Sequence, residues 1–427
     1  MIGARLLKFK PLIFLCQIVL IFVLIIACHK STKISDTNQL TDGTIFSSNT
    51  NVLQGCVQNY KPTINYFPEK ASVKYAKGFV VEYRNNYKLV TIKNPWRNAD
   101  VTFQYVLVQC GTPIPEGYKE TQIIQVPINT IVSLSTTHLP HLDKLGVVDK
   151  LLGVSDISKV NTASVVQKIQ ASKIASVGNN TNVNIEKILD LNPDLVTTYG
   201  VGSLEIDSYP KLLEVGLKVA LNAEYMEYSP LGQAEWLKFT ALFFNREAKA
   251  EKIFNEVAKQ YQTVSAKAKA IKNRPTVFVG FNSKGTWYMP GGNSYVAQYL
   301  ADAGANYVWK DNKSLGSLPL SFEQVFERAA NADYWLNGSQ YWKTRKDLLT
   351  EDRRYATFKA VKNGNLYNNN ARLNSSDGND YWESGISNPH LVLSDIIKIL
   401  HPEILSVRPW RKPYPAYRKL TYYRKLS

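Results

Sequence analysis

The stretch from residue 245 to 272 constrains the fold more than any other. Ile253, Phe254, Val257, Tyr261, Val264, Ala268 and Ile271 recur at spacings of three and four, which places one apolar stripe along a single helix. At 1.5 Å per residue such a helix is about 40 Å long, and Pro275 stops it. On both sides short β-rich runs alternate with helical ones. Before it, strands are expected at 130–134, 195–198 and 218–221, with a helix over 139–145. After it a second unit opens on the strand 276–280 and runs to about Leu405. This predicts an α/β fold with two α/β lobes, 127–244 and 274–405, joined by one long rigid α-helix over 245–273. Between such lobes lies a cleft.

The amino terminus sets the compartment. Arg5, Lys8 and Lys10 precede an apolar run from Pro11 to Ala27 that only Gln17 interrupts. A basic start and an apolar run of this size predict an export signal over 1–27, a little short of the roughly 20 apolar residues a membrane span needs. Its end, Ile25-Ile26-Ala27-Cys28, resembles a bacterial lipobox. That resemblance implies cleavage before Cys28 and a lipid on its sulfur; an uncleaved anchor helix is the other reading. Either places the chain outside the cytoplasm, held at the periplasmic or extracellular face of a membrane. Residues 28–55, rich in Ser, Thr, Asn and Asp, read as a tether. Residues 56–126 carry strand-like runs at 79–83, 87–92 and 101–108, a β-rich elaboration of the first lobe. Of the four cysteines, Cys16 leaves with the signal and Cys28 carries lipid. Cys56 and Cys110 remain as an even pair in an oxidising compartment, which predicts a disulfide worth ~3–4 kcal/mol in the chain-entropy model, against two separately buried thiols.

The formal net charge of +16 would suit nucleic acid if it were spread over the body. It is not. Three basic residues belong to the signal and seven to a basic tail over 406–427 that holds no acid, which leaves +6 for the rest. Nucleic acid is therefore not expected as a partner; mild basicity suits anionic headgroups or an acidic ligand.

Two strings then carry a family resemblance. The first is VGNNTNVNIEKILDLNPDLV at 177–196, in which Asn184 caps a helix that Asn192-Pro193 ends. The second, LSFEQVFERAANAD at 320–333, repeats the scheme in the other lobe. IVSLSTTHLPHLDKLG at 131–146, followed by LGVS at 152–155, and GGNSYVAQYLADAGAN at 291–306 fit the same pattern. Over about 122–405 the chain resembles the substrate-binding lipoproteins of bacterial ABC importers for iron siderophores, haem and cobalamin, the receptors with a helical backbone. The resemblance implies partners and roles. Glu186 and Glu323, one on each lobe, would dock on an ABC permease dimer with its ATPase, where charge complementarity sets register. Without the resemblance each carboxylate simply favours the first turn of its helix.

In such receptors the ligand sits between the lobes. The loops expected there are 135–140, 178–182, 199–203, 282–290, 337–342 and 368–382. They supply Tyr199, Trp287, Tyr288, Tyr341, Trp342, Tyr381 and Trp382, aromatic faces for a flat or conjugated chelate, and Arg372, a forked cation for its negative oxygens. A ferric siderophore is the expected ligand, with a corrinoid as the alternative. Haem receptors of the family place a Tyr ligand where this chain has Asn179. Bare-metal capture rests on His138 and His141, with Pro140 between them and only His29, His390 and His401 elsewhere. No GxSxG, Walker A, HExxH or CxxC string is present, so neither an enzyme nor a cofactor is expected.

Overall fold

A computed structural model describes residues 49–179, 182–203, 205–404 and 419–427. The signal 1–27, Cys28 and residues 406–418 of the tail lie outside the described residues, as does most of the tether.

The β-rich segment forms a four-stranded sheet in the order Phe79–Tyr83, Tyr87–Ile92, Phe103–Gln109 and Ile123–Val126. The first three strands pair antiparallel and the last runs parallel to its neighbour. Tyr87–Ile92 alternates half-buried and buried positions, the period of a strand with one covered face. Cys56 and Cys110 form a disulfide beside this sheet.

Each lobe is built on a five-stranded sheet. In the first lobe, Val219–Leu221, Leu195–Thr198, Ile131–Ser133, Leu151–Val154 and Ala175–Ser176 lie side by side and all pairs are parallel. In the second, Asn306–Tyr307, Thr276–Val279, Tyr334–Leu336 and Leu366–Asn368 are parallel. There Arg424–Lys425, from the end of the tail, closes the edge antiparallel. The end of the tail is thus part of the second lobe. Tyr422, Tyr423 and Leu426 are buried, and the Asp395 carboxylate accepts backbone N–H bonds from Thr421, Tyr422 and Tyr423.

The apolar stripe does form one helix, Glu247–Lys269, shorter at both ends than 245–273. Asn245 cannot belong to it, because the residue sits at a positive φ of 53°. Its side chain accepts from Lys88 Nζ and donates to Val52 O and Gln109 Oε1. Ala250 packs in the first-lobe core, whereas Phe254, Val257, Tyr261 and Ala268 pack in the second. This helix is not the sole bridge that the sequence suggested. The preceding helix, Pro230–Leu242, is buried at every position and likewise gives Trp236 and Phe239 to one core and Leu231 and Ala234 to the other. Its buried Glu235 accepts from the backbone N–H groups of Lys74, Tyr75 and Ala76, and its buried Lys238 donates to Ser72 O. Residues 72–78 of the β-rich segment thereby wrap the inter-lobe helix. The segment is woven into the core instead of lying on it.

Candidate functional site

A cavity of about 1030 Å³ opens between the lobes. From the second lobe it is lined by Phe281, Tyr288, Tyr295, Tyr341 and Trp382, by Asn337–Gln340 and by residues 314–317. Tyr288, Tyr341 and Trp382 are exposed, at 57%, 69% and 43%. These large rings stay wet although burial would be favourable, so they are free to cover a ligand.

The facing wall differs from the expected one. Among the described residues of the first-lobe loops 135–140, 178–182 and 199–203, none lines the cavity. Their place is taken by Asn94, Trp96, Arg97, Asn98 and Ala99 from the β-rich segment, and by Tyr225–Tyr228. The cause is the Trp96 indole. It stacks on Tyr209 with ring centres 5.9 Å apart and lies against Gly200 and Gly202, where a Cβ would stand 2.9 and 2.6 Å from ring atoms. Tyr225 ties the two layers together by donating from its hydroxyl to Gly200 O at 2.5 Å and Pro95 O at 3.3 Å. The 199–203 loop is capped before it reaches the cleft. Half-buried Tyr199 borders only a small crevice with Ile206 and Asp207.

The other expected ligand contacts divide. Tyr288 and Trp382 stand in the cavity wall. Trp287 is wholly buried, its indole donating to Val279 O and its ring packed among Phe278, Trp335 and Tyr355. On strand Thr286–Pro290 side chains alternate in direction, so Tyr288 faces out because Trp287 faces in. Trp342 is buried with its indole donating to Glu351, and Tyr381 is buried edge-on to Tyr422 and Tyr423. Arg372 is engaged elsewhere: its Nε meets the buried Asp380 carboxylate at 2.7 Å, and it does not line the cavity. The cation in the wall is Arg97, which belongs to the β-rich segment and lies outside every loop expected to reach the cleft.

His138 and His141 do not form a metal site. Both are buried, and burial pushes both imidazoles down to about 3. His141 Nδ1 lies 3.0 Å from Thr240 Oγ1, and His138 Nε2 lies 3.9 Å from buried Glu224. Burial raises the Glu224 carboxyl to about 7 although Thr137 donates to it at 2.6 Å. Among the described residues no group of three or more His, Cys, Asp or Glu is placed to hold a metal.

Glu186 and Glu323 occupy matching places, each the second residue of its helix. Asn184 caps Ile185–Leu191 and Ser321 caps Phe322–Ala329, and each cap side chain accepts the backbone N–H three residues on. Both glutamates are exposed. Glu323 lies 3.4 Å from Arg354.

Two α/β lobes closing on one aromatic-walled cavity define the bilobal fold of the periplasmic receptors. A family model described as periplasmic binding protein matches residues 131–373, and the chain belongs to that family. It is 30% identical over 395 residues to an uncharacterised lipoprotein of Methanocaldococcus jannaschii, covering 84% of this chain and 92% of that one. It is 23% identical over 216 residues to an uncharacterised ABC transporter substrate-binding lipoprotein of Bacillus subtilis, covering 46% of this chain and 66% of that protein. Among solved structures, a periplasmic binding protein from Veillonella parvula superposes with a TM-score of 0.52 at 16% identity, covering 74% of this chain and 98% of that one.

Proposed function

We propose that the protein is the lipid-anchored solute-binding component of an ABC importer and that it captures a ferric siderophore between its lobes. The observation that carries this reading is the inter-lobe cavity, whose volume suits a chelate of that size and whose exposed rings suit its conjugated faces. Membership of the periplasmic binding protein family and similarity to lipoproteins support export and anchoring through Cys28. Glu186 and Glu323, exposed at equivalent helix starts on the two lobes, are the permease contacts in this reading.

The test is a titration followed by intrinsic tryptophan fluorescence, for which Trp96 and Trp382 in the cavity wall are reporters. A ferric tris-catecholate, a ferric trihydroxamate and cyanocobalamin are compared. Saturable quenching by a ferric siderophore is expected. A response to cyanocobalamin alone moves the ligand to corrinoids, and no response to any of the three overturns the assignment. The double variant Glu186→Ala, Glu323→Ala should keep the quenching while uptake through the importer falls; unchanged uptake refutes the docking role.

A further inference from the structure

We propose that the loop at residues 94–99, contributed by the β-rich segment, is the ligand-selecting wall of the cavity and that Arg97 is its anion reader. The ligand it selects is a chelate with net negative charge, presenting carboxylate or catecholate oxygens. This rests on the siderophore-receptor reading and narrows it.

The loop is held in place before any ligand arrives. Trp96 stacks on Tyr209 and meets Phe103 edge-on at 5.9 Å, and Pro95 O accepts from Tyr225. A loop anchored at two adjacent residues orders little further on binding, which spares affinity. Arg97 itself is exposed, lines the cavity, and has no acidic partner among the described residues. Its guanidinium crosses to the second lobe, where it lies 3.5 Å from the place a Cβ on Gly316 would take. Arg97 therefore stands where the first-lobe wall of the cavity approaches the second lobe.

The charge balance of the wall points the same way. Its one carboxylate, Glu227, is buried and already accepts from Lys77 N, Gly78 N and the Trp236 indole. Among the described residues that line the cavity, Arg97 is the one cation, and its guanidinium has no protein acceptor, whereas the Glu227 oxygens are occupied by protein donors. A planar guanidinium matches paired oxygens with two parallel N–H bonds, a geometry that an ammonium cannot reproduce. Neutral chelates gain nothing comparable from it.

The experiment measures the affinity of the intact protein and of Arg97→Gln, Arg97→Lys and Lys93→Gln for a ferric tris-catecholate of charge 3− and for a neutral ferric trihydroxamate. Lys93 is exposed, close in sequence and outside the cavity, so Lys93→Gln controls for bulk charge. Arg97→Gln should weaken the anionic probe about tenfold or more and reduce the salt dependence of its binding, with Arg97→Lys in between. The neutral probe should change less than about threefold, and Lys93→Gln should match the parent. If the parent binds the anionic probe and Arg97→Gln binds it equally well, or if only the neutral probe binds, Arg97 is not an anion reader while the receptor assignment stands. If the parent binds neither probe, the inference falls together with the siderophore reading.

Discussion

The lobes meet along two seams of opposite character. On one, residues 374–388 of the second lobe are zipped to the first. Glu383 accepts from Asn161 N at 2.8 Å, Thr162 N at 2.6 Å and Thr162 Oγ1 at 2.5 Å. Asn374 donates to Ser158 O and Val160 O, Lys159 to Ser376 O, and Lys144 to Ser387 O and Asn388 Oδ1. On the other seam lies the cavity, across which the Arg97 side chain approaches Gly316. One seam spends its polar groups on the protein and the other leaves them for a guest. The zipped seam and the two shared helices join the lobes beside the cavity, and walls already in place before binding cost a ligand less to order.

Breaking the zipped seam should have the largest effect. Glu383→Ala leaves two backbone N–H groups and a hydroxyl without their acceptor at a covered site. We expect a loss of about 4 kcal/mol in unfolding free energy, read by urea denaturation. A loss below about 1 kcal/mol would mean that water replaces the carboxylate and that the seam is not a latch. The cavity seam has its own buried carboxylate, Glu224, behind the wall residue Tyr225 and facing His138, Tyr199 and Tyr225. Burial raises its folded-state value to about 7 from the ordinary 4.5. An acid raised on folding contributes stability that is complete below its unfolded value and is lost as pH climbs through the folded one. Between pH 5 and pH 8 the parent should therefore lose up to about 3 kcal/mol relative to Glu224→Gln, measured as the difference of their melting curves. Parallel pH profiles would show that Glu224 ionises normally.

The same contrast explains what the sequence could disclose. The parallel sheets follow from apolar runs such as Leu195–Thr198, and the helix Ile185–Leu191 from its Asn184 cap, because both are local patterns. Cys56 and Cys110 were legible by count and compartment. The cavity wall was not. Which face of strand Thr286–Pro290 meets solvent turns on a single-residue phase that is the same text either way, so Trp287 and Tyr288 read alike. Trp342, Tyr381 and Arg372 sit in the predicted loops but are turned to partners within the lobe, Glu351 and Asp380 nearby in the chain and Tyr422 from the end of the tail. Trp96 and Arg97 belong to the cavity only because Trp96 finds Gly200, Gly202 and Tyr209 more than 100 residues away. The small residues at 200 and 202 were the available signal, meaningful only once something bulky is known to lie on them.

The two arginines give the smallest and sharpest test of the two seams. Both were available to an anionic ligand as far as composition goes. Arg372 is committed to Asp380, whose carboxylate is almost wholly buried, and its guanidinium lies 5.7 Å from the Tyr422 ring centre. That places it with the zipped loop and the end of the tail. Arg372→Gln should therefore change affinity for a ferric tris-catecholate by less than about twofold, because a charge outside the cavity acts only through screened solvent. Its effect should instead fall on stability, and modestly, since the arginine end of the pair is half exposed. The same titration that weakens in Arg97→Gln is the comparison. If Arg372→Gln weakens binding as much, the ligand reaches past Trp382 into the zipped seam, and the division between a seam for the protein and a seam for the guest fails.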